Sequence, residues 1–271
     1  MIAETAPQES PHIQVRVDGT LGTIVLKREE KRNALTRQMV KALQTAFSDL
    51  HQQVGVRAVA ITAAGNAFCA GTDLTELHDT TDPEDPMAAQ AAWFADVNEM
   101  KLLLEMMLQF PKPIVAAVNG PALGMGLGLV LASDIVIDCE DASYGVPEPR
   151  RGLVASLVAP LLAFRIGGGH AAELLLRAKT IPAERALQLG LCHETVDAVK
   201  LWARAGEIAN EISESASEAI ALTKRNLYEG VGEQLSTLMS VGAASTATAR
   251  TTSAASEGIA AFNEKRPPEW P

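Results

Sequence analysis

The stretch 112–137, KPIVAAVNGPALGMGLGLVLASDIVI, constrains what this chain can fold into more than any other. Its apolar centre, 115–131, approaches the length of a membrane span, but Asn119, Pro121 and several glycines interrupt it. A bilayer would leave that broken backbone without hydrogen-bond partners, so no membrane partner is expected. The segment must instead be buried in a protein core as strand, turn and helix. A chain of 271 residues can build such a core, because about three-quarters of the unfolded surface is buried at this size.

Strand and helix signals alternate around this segment. Residues 12–18 and 21–27 alternate apolar with polar about Asp18-Gly19, the pattern of a hairpin. Thr36 is placed to cap a helix carrying Leu43, Phe47 and Leu50 at helical spacing. Residues 57–63, 114–118 and 134–138 read as buried strands, with a long helix over 88–109 and a short one after Gly124. The acidic, proline-bearing run 78–86 has no period and is expected to be an exposed mobile loop. After Leu157 strand signals nearly vanish, and helices are expected over 169–178, 182–189, 200–212, 216–228 and from 233 onward. The N-terminal run MIAETAPQESP lacks a basic region followed by an apolar one. It predicts a disordered tail over 1–11, not a secretory signal. The expectation is an α/β core followed by a set of C-terminal helices.

A formal net charge of -10 argues against nucleic acid as a partner, since phosphate backbones need a basic face. Two local basic clusters, one of Lys27, Arg28, Lys31 and Arg32 and one of Lys265 and Arg266, leave room for a small polyanion. The three cysteines, Cys69, Cys139 and Cys192, are odd in number and far apart. That is neither a disulfide framework nor a zinc spacing, so a cytoplasmic location and no metal are expected.

Three loops could carry chemistry. In AFCAGTDL (67–74), Gly71 permits a tight turn that leaves the amides of Thr72 and Asp73 pointing outward at a helix start. In NGPALGMGLGLV (119–130), amides near Met125 again open a helix. Two such amides aimed at one point form an oxyanion hole, where each donor is worth about 2.7–4 kcal/mol to the transition state. Tight helix-to-sheet packing is the alternative use of those glycines. GMGLGL also resembles a dinucleotide fingerprint, but Leu129 stands where the third glycine belongs and residues 119–123 separate it from the strand. In SYGVPEPRRGLV (143–154), Pro147 and Pro149 clamp Glu148 in an apolar setting. Desolvation there should raise its pKa toward neutrality, which suits a general acid or base. An ion pair with Arg150 or Arg151 is the competing reading.

Taken in order, KRNAL (31–35), AFCAGTDL, the 112–137 stretch, SYGVPEPRRGLV and AFNEKRPPEW (261–270) resemble the crotonase superfamily, the enoyl-CoA hydratase/isomerase family. The resemblance implies an α/β spiral of strand–strand–helix (ββα) turns over 12–200. It also implies a C-terminal helical trimerisation region over 201–271, and a homotrimer or dimer of trimers. The substrate implied is an acyl-coenzyme A, with no cofactor beyond the coenzyme A that the substrate carries. The backbone amides of Thr72 and Met125 fall on the family's oxyanion hole, and Glu148 on its second catalytic carboxylate. Ala70, Asp73, Leu74 and Gly124 fall in the loops that hold the thioester. Arg28, Arg32 and Ala34, together with the C-terminal Phe262 and Lys265, fall where the family touches coenzyme A, the last two often across a subunit boundary.

One departure bears on the reaction. Hydratases of this family carry a glutamate four residues after the first glycine of the second loop, and here that position is Gly128. Hydration needs activated water and a proton at Cα, work that two carboxylates share. With Glu148 alone the economical reaction is a proton shuttle, in which a proton leaves the carbon alpha to the thioester and returns elsewhere on the enolate. Double-bond isomerisation is therefore expected. Hydration through a substitute acid, with Asp73, Asp96 and His78 as candidates, and an inactive acyl-CoA binder are the alternatives. Trp93, Met100 and Leu104 share one face of the long helix and could shape an acyl pocket. The serine proteases that share the fold place their nucleophile in a loop like 119–128, which here has no serine.

Overall fold

A computed structural model describes residues 11–79 and 86–271. The expected tail over 1–11 therefore falls outside the described residues except at its last position, as do residues 80–85 of the expected loop. The chain runs β1 (Ile13–Asp18), β2 (Leu21–Leu26), α1 (Arg37–Gln52), β3 (Ala58–Ala63), α2 (Leu74–Asp79), α3 (Pro86–Gln109) and β4 (Ile114–Val118). There follow β5 (Ala122–Leu123), α4 (Met125–Leu131), β6 (Ile135–Cys139), β7 (Ser143–Gly145), α5 (Val158–Ile166) and α6 (Gly168–Arg177). The last part comprises β8 (Thr180–Pro182), α7 (Ala183–Gln188), β9 (Glu194–Val196), α8 (Leu201–Ser213), α9 (Ser217–Ala249) and α10 (Ser253–Glu264).

The main sheet has the order β1-β2-β3-β4-β6-β9, antiparallel in the β1–β2 hairpin and parallel from β2 onward. Parallel strands are covered on both faces and read as unbroken apolar runs, which is why 114–118 was legible. One face meets α8, where Leu201, Ala205 and Ile208 pack on Ala58, Val115 and Ile137. The other face meets α1, held at its start by Thr36, whose Oγ1 accepts the Met39 amide at 3.1 Å. A smaller sheet of β5, β7 and β8 is extended by single bridges, Leu35 with Thr72 and Cys69 with Ala122. Each coil of the chain thus visits the main sheet, then this second layer, then a helix. That repeat is the strand–strand–helix spiral, and it stacks the segments after β3 and β4 edge to edge.

Beyond Leu157 the sequence reading needs three corrections. The strands β8 and β9 exist but are three residues long, too short to show a period. The helix α5 also went unseen. The expected pair of helices over 216–228 and from 233 is one continuous helix, α9, running through Gly230 and Gly232. Tertiary packing outweighs the glycine cost of about 1 kcal/mol each, because Leu235, Met239, Ala243 and Ala247 form a buried stripe at four-residue spacing. Among the described residues no helix is long and apolar enough to cross a membrane.

Lys224 ties α9 to the core. Its Nζ donates to Asp134 Oδ2 at 2.6 Å and to the Met107 and Lys112 carbonyls at 3.3 Å, and the same carboxylate accepts the Ile114 amide at 2.7 Å. Burial lowers the lysine's pKa against the pull of Asp134. Removing one partner of a buried pair leaves the other charge uncompensated, so Lys224→Ala should cost roughly 3 kcal/mol of folding stability. Urea unfolding of the variant beside the parent measures this directly.

Candidate active site

Gly71 follows β3 with φ +98°, a conformation costly for any residue bearing a Cβ. A Cβ there would stand 3.0 Å from the Leu123 carbonyl and 3.5 Å from the Met125 amide nitrogen, so the two glycine loops abut. Leu35 donates to the Gly71 carbonyl at 2.8 Å and accepts the Asp73 amide at 2.9 Å. Thr72 sits between them with its own N–H turned away from this bridge. Met125 is the first residue of α4, and its N–H is one of the donors a helix start leaves over. Among the described residues no acceptor meets either amide, and both residues line one cavity. The Asp73 amide, expected to point outward with that of Thr72, is instead spent on Leu35.

Glu148 enters the same cavity from the single turn of 3-10 helix that follows Pro147. Its carboxyl lies directly over Gly124. A Cβ at Gly124 would overlap Oε1 and stand 3.1 Å from Cδ. The residue is half-buried, but Oε2 is sealed from solvent and has no hydrogen-bond partner. Desolvation pushes the carboxyl up to about 7, against its own backbone amide and the charge of Arg151. Arg151 is not an ion-pair partner: its guanidinium lies 4.3 Å over the ring of Phe262 on α10. Arg150 points away, toward the Arg177 carbonyl. The competing ion-pair reading of this segment is thus not what the geometry shows.

Leu74, Val97, Met100, Leu153, Val154 and Val158 give apolar walls to a cavity of about 90 Å3. Met100 accepts the Thr72 hydroxyl on its sulfur at 3.6 Å. Ala70 and Gly124 also line the cavity. Several expected positions do not. Trp93 and Leu104 are packed in the core. Gly128 is buried beneath Met125, Leu104 and Val158, whose atoms would lie 3.3–3.7 Å from an added Cβ. The place of the absent glutamate is therefore apolar and filled. Arg28, expected at the coenzyme, is turned inward, donating to Asp73 Oδ2 at 2.5 Å and to the Ala34 carbonyl at 3.1 Å. Arg32 is exposed beside it, its carbonyl accepting the Ala70 amide at 3.0 Å. Lys265 is exposed at the end of α10, and Phe262 stacks on Arg151 of its own chain.

Two of the three substitute acids are already engaged. Burial pushes Asp73 up, but hydrogen bonds from Arg28 and the Thr75 amide outweigh it and hold the carboxyl below the usual carboxylate range. Asp96 reaches the cavity, yet Arg37 grips both its oxygens at 2.5 and 2.7 Å. The side chain of His78 lies outside the described residues. Among the described residues, Glu148 is the carboxylate in the cavity without a partner. Among the described residues no group of three or more His, Cys, Asp and Glu side chains is placed to hold a metal. Sequence reasoning missed the polar part of the wall, Ser156, Thr246 and Arg250. Two of these sit at the end of α9, roughly 90 to 180 positions from the loops they face, and no local pattern marks them.

The family model described as Enoyl-CoA hydratase/isomerase matches residues 16–271. The Thermus thermophilus protein named "Putative enoyl-CoA hydratase" is 36% identical over 252 residues, covering 93% of this chain and 98% of its own. The Aspergillus fumigatus protein named mevalonyl-coenzyme A hydratase is 32% identical, covering 91% and 90%. Among solved structures, an enoyl-CoA hydratase/isomerase from Xanthobacter autotrophicus superposes with a TM-score of 0.85 at 27% identity, covering 93% of each chain. A carnitinyl-CoA hydratase from Mycobacterium avium gives 0.82 at 30% identity, covering 97% and 99%.

Proposed function

Because the chain belongs to the enoyl-CoA hydratase/isomerase family, we propose that its cavity holds an acyl-CoA thioester and that Glu148 shifts the double bond of a bound enoyl group. The thioester oxygen is received by the Thr72 and Met125 amides, which stabilise the enolate as negative charge moves onto it. Glu148, as a carboxylate, takes a proton from the carbon alpha to the thioester. As a carboxylic acid it returns that proton to the far end of the conjugated enolate. A pKa of about 7 leaves it free to do both near neutral pH. The observation that carries this reading is the solitary carboxyl over Gly124, with apolar side chains filling the space beside Gly128.

Coenzyme A contacts fall to Arg32 and Lys265, since Arg28 is occupied by Asp73. Assembly as a trimer or dimer of trimers is supported by Leu222, Leu227, Leu238 and Val241, apolar and exposed along α9. The buried, unpaired thiols of all three cysteines support a reducing compartment.

Hydration of a 2-enoyl-CoA is the second reading, favoured by the hydratase names of the relatives. Here Glu148 would both activate water and protonate Cα. Offering 3-enoyl-CoA and 2-enoyl-CoA side by side separates the two. Isomerisation of the first should exceed hydration of the second by at least tenfold, since one acid can shuttle a proton but has no partner for water. Robust hydration without isomerisation would overturn the preferred reaction and leave the family intact.

A further inference from the structure

Arg250 caps the C-terminus of α9 and is only 5% exposed, yet neither Nη1 nor Nη2 has a hydrogen-bond partner. It lines the cavity with Asp96, Ser156 and Thr246, the last one turn earlier on the same helix face. The Ser156 and Thr246 hydroxyls bond to each other. The guanidinium stands 5.0 Å over the Trp93 ring. A dry, unbonded arginine is costly, and natural structures leave few such groups without a reason.

The charges around it do not cancel. Asp96 attracts Arg250 and Arg37 repels it, but Arg37 already holds Asp96 through both carboxylate oxygens. With Asp96 spent on Arg37, Arg250 is left on the cavity wall without a carboxylate partner. Desolvation lowers the Arg250 pKa to about 10, so it remains a cation at neutral pH. Asp96 is one helical turn from Met100, about 6 Å along α3, and Met100 touches Thr72. Arg250 thus lines the same cavity as Thr72 and Met125.

We propose that the acyl group this enzyme takes carries a carboxylate of its own, so that the substrate is the mono-CoA thioester of a short unsaturated dicarboxylic acid seated on Arg250. The proposal rests on the acyl-CoA reading above and deepens it. The incoming carboxylate supplies the acceptors that Nη1 and Nη2 lack, and the Ser156–Thr246 hydroxyl pair flanks it.

The test measures binding of unreactive thioesters of equal chain length by calorimetry, glutaryl-CoA against pentanoyl-CoA, with free CoA as a third ligand. The parent should bind glutaryl-CoA roughly 10- to 100-fold more tightly than pentanoyl-CoA, the range for a charge-assisted hydrogen-bonded pair. Arg250→Met should bring that ratio close to one, and Arg250→Lys should keep part of it. Without ligand, Arg250→Met should unfold at a higher temperature than the parent, because an uncompensated buried cation is gone. Equal affinity of the parent for the two thioesters overturns the proposal on its own, even if the variant fails to fold. So does a preference that survives in Arg250→Met. Parallel weakening of free CoA and both thioesters would place Arg250 at the coenzyme phosphates and overturn it too. Binding of neither thioester would sink the acyl-CoA reading itself, a result distinct from binding without discrimination.

Discussion

Glu148→Gln should reduce isomerisation of 3-enoyl-CoA, and solvent deuterium uptake at Cα of a bound acyl-CoA, by about 10²- to 10⁴-fold. Glutamine keeps the shape over Gly124 and removes the proton acceptor, so affinity for the thioester should stay near that of the parent. In the parent the abstraction step needs the carboxylate. Its rate should therefore climb as pH passes about 7, and the variant should lack that inflection. Undiminished exchange in the variant would remove Glu148 from its role.

The same substitution has a consequence for stability with a definite sign. Glu148 titrates near 7 in the folded chain and near 4.5 when free, so the folded state binds the proton more tightly. The stabilisation from the neutral carboxyl is fully present below pH 4.5 and is lost as pH rises through 7. Above that, a desolvated carboxylate costs on the order of 3 kcal/mol, which the neutral amide avoids. Glu148→Gln should thus outlast the parent in urea at pH 8, with the difference shrinking toward pH 5. A variant stabilised and inactivated together would show that the fold tolerates this buried acid for its chemistry.

Gly124→Ala should be nearly as damaging, by a different route. The residue sits at φ +53° and ψ -122°, a region that L side chains avoid at a cost of about 1–3 kcal/mol. Its new methyl would also overlap Glu148 Oε1. Either the carboxyl moves or the loop shifts, and a loop shift carries the Met125 amide with it. A displacement of about 1 Å in such a site costs roughly a hundredfold in rate, so kcat should fall by 10² or more. The control is Gly128→Ala, where helical backbone and contacts of 3.3–3.7 Å ask only a small adjustment of Met125 Sδ. It should retain most of the activity. If both variants behave alike, the close approach of Glu148 to Gly124 is not what positions the acid.

Much of this was legible beforehand because it is written in short-range pattern. The 114–118 strand is an apolar run, the α1 cap is a threonine before a helical period, and both glycine loops announce turns followed by helix starts. Glu148 stood out because two prolines fix its backbone among apolar neighbours. The same local reading failed where partners decide. Asp73 looked like a candidate acid until Arg28, forty-five positions earlier, took its carboxylate. Arg28 and Gly128 stay out of the cavity wall for equally long-range reasons: one turns onto Asp73, the other is covered by Leu104 and Val158.

What the sequence determined alone was the order of the main-sheet strands as far as β6, the place of an acid clamped between two prolines, and a glycine at position 128. Tertiary structure decided which amides stay unbonded, which carboxylates are neutralised, and that an arginine from the end of α9 faces the cavity without an acceptor. Backbone propensity and apolar period act over a few residues, and a chain displays them in its text. Desolvation and charge pairing depend on what surrounds a group in space, and here those surroundings come from segments as far apart in the chain as Ala70 and Arg250.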